Sequence, residues 1–244
     1  MLSEMTQNRI LAGLPATERT LLLPACESVE IHLGEILGDA GKPLPFIHFP
    51  VTSAISMTAM QDHGHMVEVT LTGKEGSSGS SVVLGDSRSL CTAMVQIPGS
   101  AIRISTSAVM DQLSRLPYLA AALSRHNLLL MRTAVISVGC SRFHNVSQRL
   151  ARWLKAHWYR AGIETFPFSA QFLAAQVGAD PKTVAETLQA FDADKLIRAG
   201  HNTVTISDHE ALGRQACECY ELAKLASSEY MVALQAIAQS HCDA

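Results

Sequence analysis

The sequence is short of positive charge. Its 19 Lys and Arg residues stand against 22 Asp and Glu, a net charge of −3. The chain as a whole therefore has no attraction for polyanions, and any nucleic-acid contact must come from a local patch. It also lacks an apolar run of membrane-spanning length. The most apolar stretch, residues 118–138, is interrupted by Ser124, Arg125, His126, Asn127 and Arg132. The first residues carry Glu4 and Arg9 around no apolar core, so no secretory signal is expected. Six cysteines, at 26, 91, 140, 217, 219 and 242, show neither paired metal spacing nor the density of a disulfide framework. These absences predict a soluble, reduced, cytoplasmic protein that does not enter a membrane. What is present is globular: 48% hydrophobic and 17% charged residues, over 244 positions that suffice for one large or two modest domains.

Signs of catalysis are also missing. No Ser-His-Asp or paired-carboxylate arrangement can be assembled from the sequence, so no enzyme is expected. GKEGSSG (73–79) has glycines and a lysine, but not in the order of a phosphate-cradling P-loop, and reads as a surface loop. His63 and His65 alternate beside Asp62 on one strand face, a pattern that suits a solvated hairpin tip better than a metal site. Cys217 and Cys219 fall on an expected helix, where residues two apart point away from each other. They read as two partly buried thiols. No metal and no cofactor are predicted.

The composition changes near residue 115. Before it, candidate strands cover residues 29–37, 46–49, 54–60, 66–71, 93–97 and 101–104, separated by turn residues such as Gly38-Asp39-Ala40-Gly41 and Pro98-Gly99. Many short strands at this spacing predict a sandwich or jelly roll, preceded by a short helix over 6–14. A long helix follows. Leu116, Leu119, Leu123, Leu130 and Ala134 recur at three-, four- and seven-residue steps, with His126 or Asn127 in the weak position. So narrow a stripe fits a two-helix seam, and packing against the β domain fits the periodicity equally. Gly139 marks its expected end, and a second helix covers 147–161.

The segment 169–191 has a helix-turn-helix pattern. Ser169 can cap a helix whose inner face holds Leu173 and Val177, Gly178 supplies a sharp turn, and Asp180 can cap a second helix with Pro181 at its first position. Val184, Leu188 and Phe191 then face inward, while Lys182, Ala185, Glu186 and Gln189 face outward. Beyond Leu196-Ile197, a turn at Gly200-His201-Asn202 joins two extended runs, the outline of a wing.

These segments resemble the Crp/Fnr family of bacterial transcription regulators over nearly the whole chain. NRILAGLPATER, VEIHLGEIL with Gly41-Lys42-Pro43, and FPVTSAISM look like the start of that family's β-roll. LTGKEGSSG resembles a loop that many members write as Gly-Arg-Glu-Gly. RFHNVSQRLARWL looks like the helix after the dimer seam, and ALGRQACECY resembles a C-terminal signature of one branch. The resemblance implies an α+β protein in four parts. Residues 1–115 would form a double-stranded β-helix (jelly-roll) domain of the cyclic-nucleotide-binding type, and 116–140 a dimerisation helix. Residues 141–212 would form a winged helix-turn-helix, and the fourth part, 213–244, is read from its own residues, Leu222, Leu225, Tyr230, Val232, Leu234 and Ile237, as a helical extension longer than the wing requires. It further implies a homodimer, with a seam through Leu116, Leu119, Leu123, Asn127, Leu130 and Ala134. The partners implied are a pseudo-palindromic double-stranded DNA operator and RNA polymerase.

Two departures qualify that picture. Cyclic-nucleotide-binding members hold the ribose with a Gly-Glu pair and the phosphate with a downstream Arg. Here the loop reads Gly79-Ser80-Ser81 and the later position Leu90-Cys91, with Arg88-Ser89 just before it. Without the carboxylate and the guanidinium fork, cyclic AMP is not the expected ligand. Gly79, Ser80, Ser81, Arg88, Ser89 and Cys91 remain the candidate lining for an unknown small effector. The N-terminal cysteine group of the iron–sulfur members is absent too, leaving Cys26 alone. The second departure is in the reading helix. Where many members present Arg, Glu and Arg, this chain has Pro181, Lys182 and Glu186. An arginine fork grips guanine, whereas glutamate only accepts, for example from cytosine. Residues 139–210 carry eight cations against seven anions, thin support for phosphate binding. Ser169, Gln171 and Thr183 are expected at phosphates and Lys182, Glu186 and Gln189 toward bases, with Asp180, Pro181 and His201 completing the expected DNA-binding set. Two functions fit: a homodimeric DNA-binding regulator sensing something other than cyclic AMP, or a protein-interaction module that keeps the fold without reading sequence.

Overall fold

The computed structural model of the chain describes residues 2–60, 66–200 and 202–242. The chain divides into two compact units. One comprises Met1–Thr58, Thr70–Arg132 and Leu225–Ala244, the other Ala59–Val69 and Thr133–Lys224.

The first unit begins with α1 (Leu2–Met5), α2 (Arg9–Ala12) and α3 (Ala16–Leu22), where one helix over 6–14 is predicted. Asn8 accounts for the break. Its side-chain oxygen accepts from the Ile10 and Leu11 amides and so starts α2, while its Nδ2 donates to the carbonyls of Pro50 and Gly76. Among the described residues the strands that follow are β1 (Cys26–Ile31), β2 (Ile36–Gly38), β3 (Phe46–Pro50), β4 (Ala54–Met60), β5 (Met66–Thr72), β6 (Thr92–Ile97) and β7 (Gly99–Ser105). The single run expected over 29–37 is two strands, because Gly34 turns the chain at φ +79°. The strands form two sheets, ordered β1-β7-β3 and β2-β6-β4-β5. In the first, β7 pairs antiparallel with both neighbours, setting Ile104 opposite both Cys26 and Ile47. This is the roll that the strand spacing predicts. Asp62, His63 and His65 lie outside the described residues.

Ile31, Ile55, Ala93, Val95 and Ala101 form one small core of the roll. A larger core gathers Ile47, Phe49, Ile102 and Ile104 with Ile10, Leu11 and Leu22 of the N-terminal helices and Val109 of α4 (Thr106–Gln112). It also takes the start of α5 (Pro117–Phe143). The free amides of that helix are met by Glu18, whose carboxylate accepts from Tyr118 N at 2.7 Å and Leu119 N at 3.0 Å.

This arrangement corrects the seam. Leu116, Leu119 and Leu123 are fully buried in the core of their own unit, and Asn127 is bonded to Ser80. Leu130 and Ala134 are half-buried. Of the large apolar side chains that α5 leaves exposed, Leu128, Met131, Val135 and Val138 recur at steps of three, four and three, and Phe143 stands exposed at its last position. Periodicity alone could not separate the two stripes, because a long helix with apolar residues on two faces has both. Gly139 does not end the helix, which runs on to Phe143.

The C-terminal extension is a helix, α10 (Cys219–Cys242). From Leu225 onward it belongs to the first unit. Ala226, Tyr230 and Leu234 enter the large core, Tyr230 Oη donates to the carbonyl of Glu75 at 2.9 Å, and the Tyr230 ring lies 5.7 Å from that of His126.

The second unit is built on α6 (Val146–Ala161), α7 (Ala170–Val177), α8 (Pro181–Ala193) and α9 (His209–Gln215), with a small sheet ordered β8-β10-β9 (Thr165–Phe166, Thr203–Ile206, Ile197–Gly200). A capping box starts α6, the Asn145 side chain accepting from Gln148 N while Gln148 accepts from Asn145 N. The core of this unit is organised around a cluster of aromatic rings. Trp153 stacks on His157 at 3.4 Å and meets Phe168 edge-on, with Phe166 and Phe172 alongside. Glu68, from the end of β5 that belongs to this unit, pairs with buried His157 at 3.4 Å. Burial alone would raise the Glu68 carboxyl. The charges of His157, Arg152 and Arg160 outweigh it and hold the carboxyl below its ordinary range.

Candidate nucleic-acid interface

The helix-turn-helix forms where its signals stand. Ser169 Oγ accepts from Phe172 N at 3.1 Å and starts α7. Gly178 ends it at φ +62°, a conformation costly for a residue with a Cβ, and a Cβ there would come within 3.3 Å of Val67. Asp180 Oδ1 accepts from Lys182 N at 2.9 Å and Thr183 N at 3.2 Å, and Pro181 occupies the first position of α8, where no amide is needed. Val184, Leu188 and Phe191 bury the inner face against Leu173 and Val177. The wing is β9 and β10, with β8 as a third strand that the sequence reading missed; at two residues it is too short to show a period.

The outward face of α8 is therefore fixed by caps at one end and a core behind it. It presents Lys182, Glu186 and Gln189, all exposed, with Thr183 beside them and Gln171 exposed on α7. Ser169 and Asp180 spend a side-chain oxygen on their caps, so their place at a phosphate is shared with a structural role. Exposed Lys195 and Arg198 add positive charge at the start of the wing, against exposed Asp192 and Asp194. His201 lies outside the described residues. The face offers one cation, one anion and two amides or hydroxyls, a set able to donate and accept at base edges but carrying no arginine fork.

The candidate effector residues are brought together only in part. Gly79 begins a short helical turn with φ +92°, and Ser80 and Ser81 behind it are buried. Ser80 donates to Asn127 Oδ1 at 2.7 Å, and its carbonyl accepts from Asn127 Nδ2. Arg88 is paired with Asp86 at 2.9 Å, and Ser89 Oγ donates to the Cys91 carbonyl. Burial raises the Cys91 thiol to about 11. Ser80, Arg88 and Ser89 are thus each engaged with neighbours in the same unit.

A correction concerns the cysteines. Cys217 and Cys219 do not sit side by side within a helix: Cys217 precedes α10 and Cys219 is its first residue. Their thiols converge, and with Cys140 of α5 and His144 just past its end they form one cluster. Linear spacing concealed it, because the two pairs come from segments 77 residues apart.

Residues 148–215 match the family model of the Crp-like helix-turn-helix domain. The chain carries a Crp-like helix-turn-helix on a Crp/Fnr-type fold. That fold is seen in solved structures of low sequence identity. One is a transcriptional regulator of the Crp/Fnr family from Eubacterium rectale, with a TM-score of 0.70 and 11% identity over 84% of this chain and 96% of that one. FixK2 from Bradyrhizobium japonicum gives 0.66 and 13%, over 79% and 98%. The c-di-GMP-responsive global regulator CLP from Xanthomonas campestris gives 0.61 and 16%, over 78% and 97%. A search of curated proteins finds no match. Among the described residues, no helix is long and apolar enough to cross a membrane.

Proposed function

We propose that this Crp-like protein is a homodimeric, DNA-binding transcription regulator that answers a signal other than cyclic AMP. The observation that carries the reading is α8, a helix capped by Asp180 and seated on an aromatic core, with Lys182, Glu186 and Gln189 exposed in a row. Lys182 and Thr183 supply phosphate and base donors, and Glu186 accepts from a base amine such as that of cytosine. With one phosphate-facing cation per helix, binding depends on two copies acting together on a pseudo-palindromic site. Support for the second copy comes from Leu128, Met131, Val135 and Val138, between 42% and 70% exposed at heptad-like steps. Engagement of Ser80 by Asn127 and of Arg88 by Asp86 supports a sensor that does not use the cyclic-nucleotide contacts. RNA polymerase is the partner through which a bound dimer would alter transcription.

Selection of genomic fragments by the purified protein at low salt, under reducing and oxidising conditions, tests the reading. Enrichment of a sequence with two-fold symmetry is expected. No enrichment under any condition, with recovery of a protein partner from nuclease-treated lysate, would return the chain to the interaction-module reading.

A further inference from the structure

Three thiols and an imidazole, distant in the sequence, meet at the two ends of the winged module. Cys140 lies in the last turn of α5 and His144 directly follows its end, with His144 N donating to the Cys140 carbonyl at 3.2 Å, so the continued turn sets the two side chains on one side. Cys217 and Cys219 flank the start of α10. One ligand atom from each of the four lies within 4.8 Å of every other. Cys140 Sγ and Cys217 Sγ are 3.5 Å apart, and Cys219 Sγ is 3.6 Å from His144 Nδ1. The three thiols are 5% exposed or less, with no disulfide among them.

We propose that Cys140, His144, Cys217 and Cys219 bind a single Zn2+ ion that joins the two ends of the winged module. A tetrahedral ion with Zn–S of about 2.3 Å and Zn–N of about 2.0–2.1 Å sets its ligand atoms roughly 3.5–3.8 Å apart. The Cys140–Cys217 and Cys219–His144 pairs already stand at that separation. An iron–sulfur cluster places its ligands on different iron atoms and so spreads them further apart. Three thiolates with one imidazole suit zinc by softness and leave no open coordination position, which makes the site structural.

The histidine decides between a metal site and a packed group of thiols. His144 Nε2 lies 3.1 Å from Glu218 Oε1. With the proton on Nε2 donated to that carboxylate, the Nδ1 lone pair points at the thiols, the orientation that an outer carboxylate gives a ligating histidine. Packing alone, with Ile136 at the side, accounts for buried sulfur but not for an imidazole nitrogen aimed into it. On binding, the three thiol protons pass to solvent, so affinity rises with pH. The ion would tie the last turns of α5 to the segment after α9, closing a span that contains α6, α7, α8, the wing and α9.

The test uses the full chain purified without chelator from zinc-supplemented medium. Elemental analysis should find one zinc per chain, and cobalt substitution should give the visible bands of a tetrahedral thiolate site. Cys140→Ser and Cys217→Ser should lose the metal, and Cys91→Ser should keep it. Because those first two variants could also fail to fold, Glu218→Gln provides an independent arm. Glu218 is exposed, and its loss should weaken zinc binding about 10–100-fold against a chelating dye while leaving the fold intact. Any one of three results would overturn the proposal: no zinc uptake by the folded, reduced chain; iron with acid-labile sulfide in its place; or a Glu218→Gln affinity equal to that of the parent.

Discussion

The two units treat their polar groups in opposite ways. In the first, the residues proposed as the effector lining are bonded to neighbours: Ser80 to Asn127, Arg88 to Asp86, Ser89 to the Cys91 carbonyl. In the second, the polar groups of α8 stand in solvent, held in place by caps and by a core behind them. A recognition surface has to be left unsatisfied until its partner arrives, whereas a disused one can be closed off. The contrast is what a regulator with a displaced sensor and a retained reading head would show.

The largest effect expected from a single side chain lies in the second unit. Trp153 is 1% exposed and holds His157 and Phe168 around it. Trp153→Ala should cost about 3–5 kcal/mol, read as an early unfolding step in calorimetry. If the two cores are independent, the transition of the first unit stays in place; a common shift would join them into one cooperative body.

Acid should then separate the units. His48, buried on β3, is pushed down to about 4 by burial first and by the Arg103 charge second, with Glu35 opposing. A histidine with a lowered folded pKa is held neutral. Its contribution is whole above the unfolded value near 6.5 and is lost as pH falls from there to about 4, on the order of 3 kcal/mol. His48→Gln should flatten that stretch of the stability curve. Glu68 in the second unit has a lowered carboxyl, so its contribution is present above the ordinary carboxylate range and is lost only as pH falls through its lower folded value. The roll unit should therefore weaken at a higher pH than the winged unit, as followed by chemical denaturation across the acid range.

A smaller effect tests the placement of α8. Asp180→Ala removes the acceptor for two amides and should cost about 1 kcal/mol, while Asp180→Asn should be near neutral. Loss of DNA affinity in both variants alike would mean that the carboxylate acts at the DNA and not only as a cap.

The parts legible in the sequence are those written in neighbouring residues. Ser169, Gly178, Asp180 and Pro181 mark the ends of α7 and α8 by their own chemistry, so the reading head could be placed to the residue. The roll was visible in strand spacing, apart from the turn at Gly34 and the break at Asn8, both single-residue events. The rest depends on tertiary partners. Leu116, Leu119 and Leu123 have the period of a seam, and only the presence of the roll beside them makes them core. Tyr230 on the extension carries no mark that it will meet Glu75 and His126. Cys140 and His144 show the i, i+4 spacing of a ligand pair, a signal open to the sequence reader, but their partners come from another segment.

The central claim is that α8 meets DNA, and Glu186 tests it most directly. Anisotropy titrations of the parent and Glu186→Arg, on a selected duplex and a scrambled one at several salt concentrations, read affinity and salt slope together. The variant should bind scrambled DNA more tightly and steepen the slope by about −0.9 for each added phosphate contact, twice that in a dimer. On the selected duplex, loss of a glutamate–cytosine contact should offset that gain by roughly 1–3 kcal/mol per half-site. Equal affinities and equal slopes for both proteins on both duplexes would contradict the account, because α8 would then lie away from the groove.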